Sequence, residues 1–180
     1  MGDTLITVVA IFLAAILMFV FPLMTVSERG DDVSQLAVQS ATVEFVDKVR
    51  TTGKLSLEDY SKYVQTINST GNTFEPEIEI KVLDENPGKK TAQTDYTKIG
   101  ENVYYVMYTT QVMDQIIDPT SSKGKTLVLK EGDIISVSAK NTNTTIAQTL
   151  RNAFYKVTGQ DTYQIGASHS GIVTVNGTKR

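Results

Sequence analysis

The residue types that most often carry catalysis are scarce in this chain. His169 is the only histidine and cysteine is absent, which excludes thiolate nucleophiles, zinc–thiolate sites and disulfides. The run Gly166-Ala-Ser-His-Ser fails the nucleophile-elbow pattern, because Ser170 stands where a second glycine is required. A Ser-His-Asp triad could still be assembled in space, but one histidine in a Ser/Gly run is more typical of a solvated turn. We predict no catalytic residue and no enzymatic activity.

Phosphate-binding patterns are incomplete as well. Gly124-Lys125-Thr126 matches the end of a P-loop, but Pro119 stands where that pattern requires a glycine, and a strand is predicted where it requires a helix. The basic clusters Lys89-Lys90 and 123–125 are too short to follow a phosphate backbone, and the net charge is -3. We therefore expect neither nucleotide nor nucleic-acid binding.

A metal site would have to use oxygen ligands. Asp84, Asn86 and Asp95 begin like a calcium loop. The glycine required at the sixth position is missing and Pro87 interrupts the loop, so the match fails. We predict no metal and no cofactor.

Asparagine and tyrosine side chains supply the remaining candidate surface chemistry. Asn68, Asn143 and Asn176 meet the acceptor rule for N-glycosylation, although helix capping explains the first two equally well. Tyr104, Tyr105 and Tyr108 could form a contact surface on the head. Core packing with the hydroxyl groups at the rim is the alternative for these tyrosines.

The rest of the chain is arranged around an uncharged stretch, residues 5–26. Its 22 positions would extend about 33 Å as a helix, enough to cross a hydrocarbon core of about 30 Å. We predict a transmembrane helix within residues 1–30, with a bend between Met18 and Pro22. The small residues Ala10, Ala14 and Ala15 would let a second helix approach closely.

Two other interpretations fit this stretch less well. A cleaved secretory signal needs a basic start, a shorter apolar run and a small-residue cleavage site, whereas the chain begins Met1-Gly2-Asp3. A helix in a soluble core rarely holds about 18 consecutive apolar residues. On the C-terminal side, residues 27–32 carry Arg29 among three acidic residues, which favours an outward-facing head.

Beyond the membrane the helix is predicted to continue to a C-cap at Gly53, loosened at Gly30. Apolar residues recur there at helical spacing and predict an amphipathic extension, residues 31–53, packed along the head. These residues are Val33, Leu36, Val43, Val46 and Val49. The linker candidates are residues 27–32 and 87–100.

The next two elements have specific signals. Ser56 and Asp59 form a capping-box pattern that predicts a helix ending in the cluster Asn68 to Asn72. Residues 74–83 alternate apolar and charged side chains and predict a half-exposed strand, whose start Pro76 places at a sheet edge. A turn at Asn86-Pro-Gly and a polar loop over residues 89–100 follow.

Residues 101–118 are ambiguous. Tyr104, Tyr105 and Tyr108 favour a strand by propensity, whereas other side chains recur at helical spacing. These are Val103, Val106, Thr110, Met113 and Ile117. We predict a helix on the basis of length and of the composition of residues 111–115.

The last third predicts strands around one helix. Residues 126–130 and 134–140 alternate around Glu131-Gly-Asp and predict a hairpin. Asn143 or Thr144 would cap a helix closed by Gly159. Its apolar face would consist of Ile146, Leu150, Ala153, Phe154 and Val157. Residues 163–167 and 171–175 predict two strands around Ser168-His-Ser.

These elements predict an α+β fold in which a long N-terminal transmembrane helix continues into a small, mostly antiparallel-sheet head with packed helices. About 150 residues outside the apolar stretch leave room for one globular domain. The predicted domains are therefore residues 1–30 and residues 31–180.

The layout resembles type IV pilin-like proteins, in particular the pilin-like and pseudopilin-like subunits of tight-adherence (Tad, Flp) pilus systems. The stretches that carry the resemblance are Phe45-Val-Asp-Lys-Val-Arg-Thr-Thr-Gly-Lys, Leu83-Asp-Glu-Asn-Pro-Gly-Lys-Lys, Glu131-Gly-Asp and Lys140-Asn-Thr-Asn-Thr-Thr-Ile-Ala-Gln-Thr-Leu. The chain departs from that family at its start, because cleavage after Gly2 would put Thr7 where type IV pilins carry a glutamate.

The resemblance implies a single-pass subunit in the cell membrane with its head outside the cytoplasm, which enters or helps to build a cell-surface filament. Its partners would be the lipid bilayer, further pilin-like subunits in a homo- or hetero-oligomer, and an assembly machinery. Ala10, Ala14, Ala15 and Pro22 are the expected helix-packing positions. The alternative is a single-pass anchored binding or scaffold component of a secretion or conjugation complex that forms no filament.

Overall fold

The computed structural model describes residues 2–84, 104–117, 125–158 and 164–177. Within these ranges the chain forms helices and strands in the following order: α1 (Gly2–Thr52), β1 (Lys54–Ser56), α2 (Leu57–Asn68), β2 (Phe74–Leu83), β3 (Tyr104–Tyr108), α3 (Thr109–Ile116), β4 (Thr126–Val128), β5 (Ile134–Asn141), α4 (Ile146–Thr158) and β6 (Gly166–Ile172). The long apolar helix followed by a small antiparallel head confirms the α+β class.

Two sheets build the head. The main sheet has four strands in the order β3-β2-β5-β6, and each neighbouring pair is antiparallel. Ile80 at its centre lies opposite Met107 of β3 on one side and Ile135 of β5 on the other. A two-stranded antiparallel sheet joins β1 to β4. The main sheet is the surface on which the helices pack.

The core joins the C-terminal half of α1 to one face of the main sheet. The buried residues of α1 recur every three to four positions, as one face of a helix requires: Val38, Ala41, Phe45, Val46 and Val49. From the sheet they meet Ile78, Ile80, Ile135, Val137 and Ala139. Burying each large aliphatic side chain stabilises the fold by about 1.5 to 3 kcal/mol.

The predicted packing stripe of α1 is wrong at its N-terminal end. Val33 and Leu36 are 68% and 66% exposed, and the buried stripe begins at Val38. The helix also runs through Gly30 and residues 27–32 without interruption, so this segment is not a linker. At the other end Gly53 adopts a positive φ of 62° and donates its N–H to Val49 at 2.8 Å, which confirms the C-cap.

The helix start at Ser56 and the strand of residues 74–83 are both confirmed. The Ser56 side chain accepts the Asp59 N–H at 3.2 Å. Pro76 pairs with Ala139 of β5 on one side, whereas β3 begins to pair with β2 only at Glu79. The strand β2 is therefore central in the sheet, but its first half has an open side, where Pro76 lies.

The prediction of one helix over residues 101–118 is wrong, because β3 precedes a short α3. Thr109 sets the boundary: its hydroxyl accepts the Ile78 N–H at 2.8 Å and so replaces the next rung of the β2–β3 ladder. Residues 101–103 and 118 lie outside the described residues, as do the turn and the loop predicted over residues 86–100.

The predicted hairpin of residues 126–140 is also wrong. β4 pairs with β1, whereas β5 pairs with β2 and β6. The buried carboxylate of Asp133 accepts the N–H groups of Lys130 and Leu83 at 2.8 and 2.9 Å. This carboxylate shapes a corner at which the chain leaves one sheet for the other.

The C-terminal elements differ from prediction at their boundaries. Thr145 caps α4 in place of Asn143 or Thr144: its hydroxyl accepts the Gln148 N–H at 3.1 Å and its own N–H donates to Gln148 at 2.9 Å. Ile146 is exposed, while the side chains of Leu150, Ala153, Phe154 and Val157, and Gly159 as a whole, lie outside the described residues. β6 runs through Ser168-His-Ser as one strand, and the turn predicted there is wrong.

Candidate functional site: the bare segment of the first helix

The most distinctive surface of the molecule is the first half of α1, residues 2–26, which we call the bare segment. Most of its large apolar side chains are exposed in the isolated chain; Met18 and Phe19, for example, are 76% and 77% exposed. The helix is long and apolar enough to cross a membrane, and none of its most apolar window is buried. By length and composition this segment could be covered by lipid or by other helices.

The predicted packing positions all lie on this segment. Ala10 and Ala14 are four residues apart and share one face of α1, and Ala15 flanks them. All three are exposed, so their small side chains leave the helix backbone open to close approach. Pro22 lies inside the helix and is also exposed. The bend between Met18 and Pro22 stays a prediction.

The hydroxyl groups of the bare segment are compatible with an apolar surrounding. The Thr7 hydroxyl donates to the Asp3 carbonyl at 2.7 Å, and the Thr25 hydroxyl donates to the Phe21 carbonyl at 3.0 Å. A threonine that bonds the preceding turn leaves no donor to be satisfied by water. Neither side chain therefore needs solvent.

A polar cluster joins the bare segment to the head. It consists of Glu28, Asp31, Ser34 and Gln35 on one face of α1, and we call it the junction cluster. Glu28 forms an ion pair with Arg151 of α4 at 2.9 Å, and the carboxylate of Asp31 accepts the Thr145 hydroxyl at 2.8 Å. These contacts attach α1 to α4 and to the residue that caps it, immediately C-terminal to the bare segment.

The other half of the junction cluster holds the loop after α2 and the first residue of β6. Ser34 accepts a hydrogen bond from Asn72 at 3.1 Å, and both side chains are buried. Gln35 accepts the Gly166 N–H at 2.9 Å and donates to the Gly166 carbonyl. Because buried polar groups are costly to leave unpaired, this cluster fixes the direction in which α1 leaves the head.

Val33 and Leu36 lie at the same height on the opposite face of α1. Val33 follows Val26 by seven residues and continues its exposed apolar stripe past the end of the bare segment. No described residue of the head covers this pair. The apolar surface of the bare segment therefore reaches the level of the head.

The electrostatics of the head are concentrated between α1 and α2. The pKa of Lys48 is raised, mainly because its side chain donates a hydrogen bond to Asp59. Burial alone would raise the pKa of Asp59, but hydrogen bonds from Lys48 and Ser56 hold it below its usual value. Burial raises the pKa of Tyr60 and of Tyr63, whose ring stacks on Phe45 at 4.6 Å. These groups tie α2 to α1.

The other residues singled out by the sequence lie apart from the bare segment. Tyr105 and Tyr108 are 55% and 61% exposed, so core packing does not account for them, whereas Tyr104 is half-buried. His169 on β6 places Nε2 3.9 Å from a carboxylate oxygen of Asp47. Among the described residues no cluster of three or more acidic or histidine side chains could hold a metal.

The three sequon asparagines have structural roles. Asn68 accepts the Phe74 N–H at 2.9 Å, Asn143 accepts the Thr73 N–H at 2.8 Å, and Asn176 accepts the Glu131 N–H at 2.9 Å. These side chains satisfy backbone groups where the chain turns. The strand β4 follows Lys125, as predicted from the failed P-loop pattern.

Sequence reasoning missed the junction cluster, because it considered Glu28 to Asp32 only as charges near a membrane. The signal available was the spacing of Glu28, Asp31, Ser34 and Gln35, which puts four polar residues on one helix face immediately after an apolar run. Comparison with known proteins adds no relative: no protein-family model matches the chain, and no curated protein or solved structure is significantly similar to it.

Proposed function

We propose that this protein is a membrane-anchored, pilin-like structural subunit whose bare segment first holds it in the bilayer and then packs against neighbouring subunits in a cell-surface filament. The observation that carries the proposal is the unbroken α1, which joins an uncovered apolar segment to the core of the head. The head would lie outside the cytoplasm. Its partners would be lipid, further pilin-like subunits and an assembly machinery.

The physical argument concerns what covers the bare segment. In a filament, apolar side chains exchange lipid for other apolar helices, so their burial is retained. The net attraction must then come from close packing, which small residues such as Ala10 and Ala14 permit. The junction cluster supports this role because it would transmit the position of the packed helix to the head.

The test is a substitution at the middle of the packing face. Ala14→Leu adds bulk where helices would approach most closely, so we expect loss of filaments with the protein still inserted in the membrane. Ile16→Leu conserves volume on the same segment and should leave assembly unchanged. Electron microscopy of sheared appendages and cross-linking of the detergent-solubilised protein report the outcome. Wild-type protein that stays monomeric at high concentration, with no filaments on cells, would overturn the proposal.

A second candidate function is an anchored binding or scaffold component of a secretion or conjugation complex. The exposed rings of Tyr105 and Tyr108 favour it, because exposed tyrosines are enriched at protein contacts. In that case the bare segment would serve as an anchor only, and Ala14→Leu would have no effect on function. Protease accessibility of the head in intact cells tests the topology that both candidates share.

A further inference from the structure

The outer edge of β6 presents backbone groups that are not used within the head. Ile165 and Val173 donate their N–H groups towards β5, whereas those of Gly166 and Thr174 turn away from it, to Gln35 and to the Arg50 carbonyl. N–H directions alternate along an antiparallel strand, so those of Ser168, Ser170 and Ile172 also point away from β5. In the described part of the chain no acceptor meets these three.

The open side of β2 is treated differently. There Phe74 donates its N–H to Asn68 at 2.9 Å, Ile78 donates its N–H to Thr109 at 2.8 Å, and Pro76 between them has no N–H. That side is closed to further strands. The edge strand β6 has no proline and no lysine. Among the described residues α1 takes the outward N–H groups along this edge only at Gly166 and Thr174, so the part open to strand addition is the three outward N–H groups between them.

The direction of α1 restricts which strand can add. Gln35 contacts Gly166 at one end of β6 and Arg50 contacts Thr174 just beyond the other, so α1 and β6 run the same way. An antiparallel pair of two β6 edges would point the two membrane anchors in opposite directions. Copies anchored in one membrane must instead share one orientation. In that arrangement the opposite outer strand of the neighbour, β3, meets β6 antiparallel, because the main sheet alternates throughout.

The side chains of the two edges complement each other in size. β6 consists mostly of Gly, Ala and Ser, whereas three of the five residues of β3 are tyrosines. Large rings opposite small residues cover an otherwise bare backbone and stabilise cross-strand pairs. On β3 the Tyr108 N–H points away from β2, to Gln111, so the N–H groups of Tyr104 and Val106 point outward too.

We propose that in the assembled state the edge of β6 pairs with β3 of a second copy held in the same orientation, so that the main sheet continues from subunit to subunit. This inference rests on the proposed function and names the contact between heads. A pairing of a few residues buries much less than the roughly 1,200 Å² of a stable soluble complex. The anchors must therefore supply the local concentration, and the heads alone do not associate.

Cysteine cross-linking in membranes tests the proposal directly, because the chain has no cysteine of its own. Ser170→Cys and Val106→Cys place thiols on the two edges of the full-length protein. A short bifunctional thiol reagent makes the result independent of the exact register. We expect the double variant to form a ladder of multimers, each single variant to stay monomeric, and a mixture of the two single variants to form dimers.

Further variants separate the possible failures. Adding Ser168→Pro to the double variant removes an outward N–H without breaking the β5 ladder, so the cross-linked ladder should fall at least tenfold while the head stays folded. Dimers of Ser170→Cys alone would overturn the proposed orientation. Cross-linking through Ala14→Cys without any between β6 and β3 would overturn this contact and leave the filament proposal standing. Absence of both would overturn the filament proposal and this contact with it.

Discussion

The side-chain amide of Gln35 forms a pair of hydrogen bonds with the backbone of Gly166, accepting its N–H at 2.9 Å and donating to its carbonyl. The pair joins α1 to the first residue of β6 across 131 positions of sequence. It is one of the contacts between α1 and the edge strand β6; a second lies further along, where Asp47 is 3.9 Å from His169. The Gln35 pair holds α1 to the head in addition to the buried core residues Val38, Phe45 and Val49.

Replacing Gln35 by leucine should destabilise the head by about 1 to 3 kcal/mol, because both Gly166 groups lose their partner in a half-buried place. The free energy of unfolding in urea, measured on the full chain in detergent by near-UV circular dichroism, checks the value. Gln39→Leu on an exposed position of the same helix is the matched control. Equal stabilities of the two variants would contradict the structural role.

Asp133→Ala should cost about 1 to 3 kcal/mol, because it removes a buried carboxylate and leaves the part-buried N–H groups of Lys130 and Leu83 without this acceptor. Asp114→Ala removes an exposed carboxylate from α3 and should change the stability by less than about 0.5 kcal/mol. Thermal unfolding of both variants provides the comparison. A harmless Asp133→Ala would show that the corner between the sheets does not depend on this carboxylate.

The ion pair of Lys48 and Asp59 makes a pH-dependent contribution. Asp59 has a lowered pKa in the folded state, so its contribution is present above the ordinary value of 3.8 and is lost as the pH falls through the folded value. Lys48 has a raised pKa, so its contribution is complete below 10.5 and is lost as the pH rises through the folded value.

Between these limits Lys48→Met should lower the stability by about 0.2 to 1 kcal/mol, the range of exposed pairs. The difference from wild type should vanish at low pH, once Asp59 is protonated. Urea unfolding over a pH series measures it. A difference that persists unchanged in acid would mean that packing of the lysine stem, and not the charge, is responsible.

Val33 and Leu36 should matter for association and not for folding. The double change Val33→Ser with Leu36→Ser removes exposed apolar surface, so the stability of the head should stay within about 0.5 kcal/mol of wild type. If a neighbouring helix covers the pair, cross-linking between subunits should fall severalfold. Val38→Ser, at the first position of the buried stripe, should instead unfold the head. Unchanged cross-linking of the double variant would show that no subunit packs at this height.

Local signals predicted the elements that depend on few residues. The cap before α2 needs only Ser56 and Asp59, and the alternation of β2 follows from side chains that face the core or water on successive positions. Both elements could therefore be predicted from a short window. The apolar stretch of α1 could be predicted as a helix for the same reason, because its residues are consecutive in the sequence.

The predictions were wrong where contacts with residues distant in sequence determine the local structure. The helical spacing from Val103 to Ile117 gave a wrong prediction because residues 104–108 pair with β2 as a strand. Thr109 ends that pairing. The hairpin failed because Asp133 turns β5 away from β4. The junction cluster is built from α1, the loop after α2, and the starts of α4 and β6, so no local window contains it.

The uninterrupted helix through residues 27–32 has a mechanical consequence. With no hinge between the bare segment and the head, the rotation of the head around the helix axis is set by the number of residues between Val26 and Asp31. One inserted residue would turn the head by about 100° and lift it by about 1.5 Å. Seven inserted residues would nearly restore the angle but raise the head by about 10 Å. The number of residues in this short segment therefore sets both the rotation and the distance of the head relative to the bare segment.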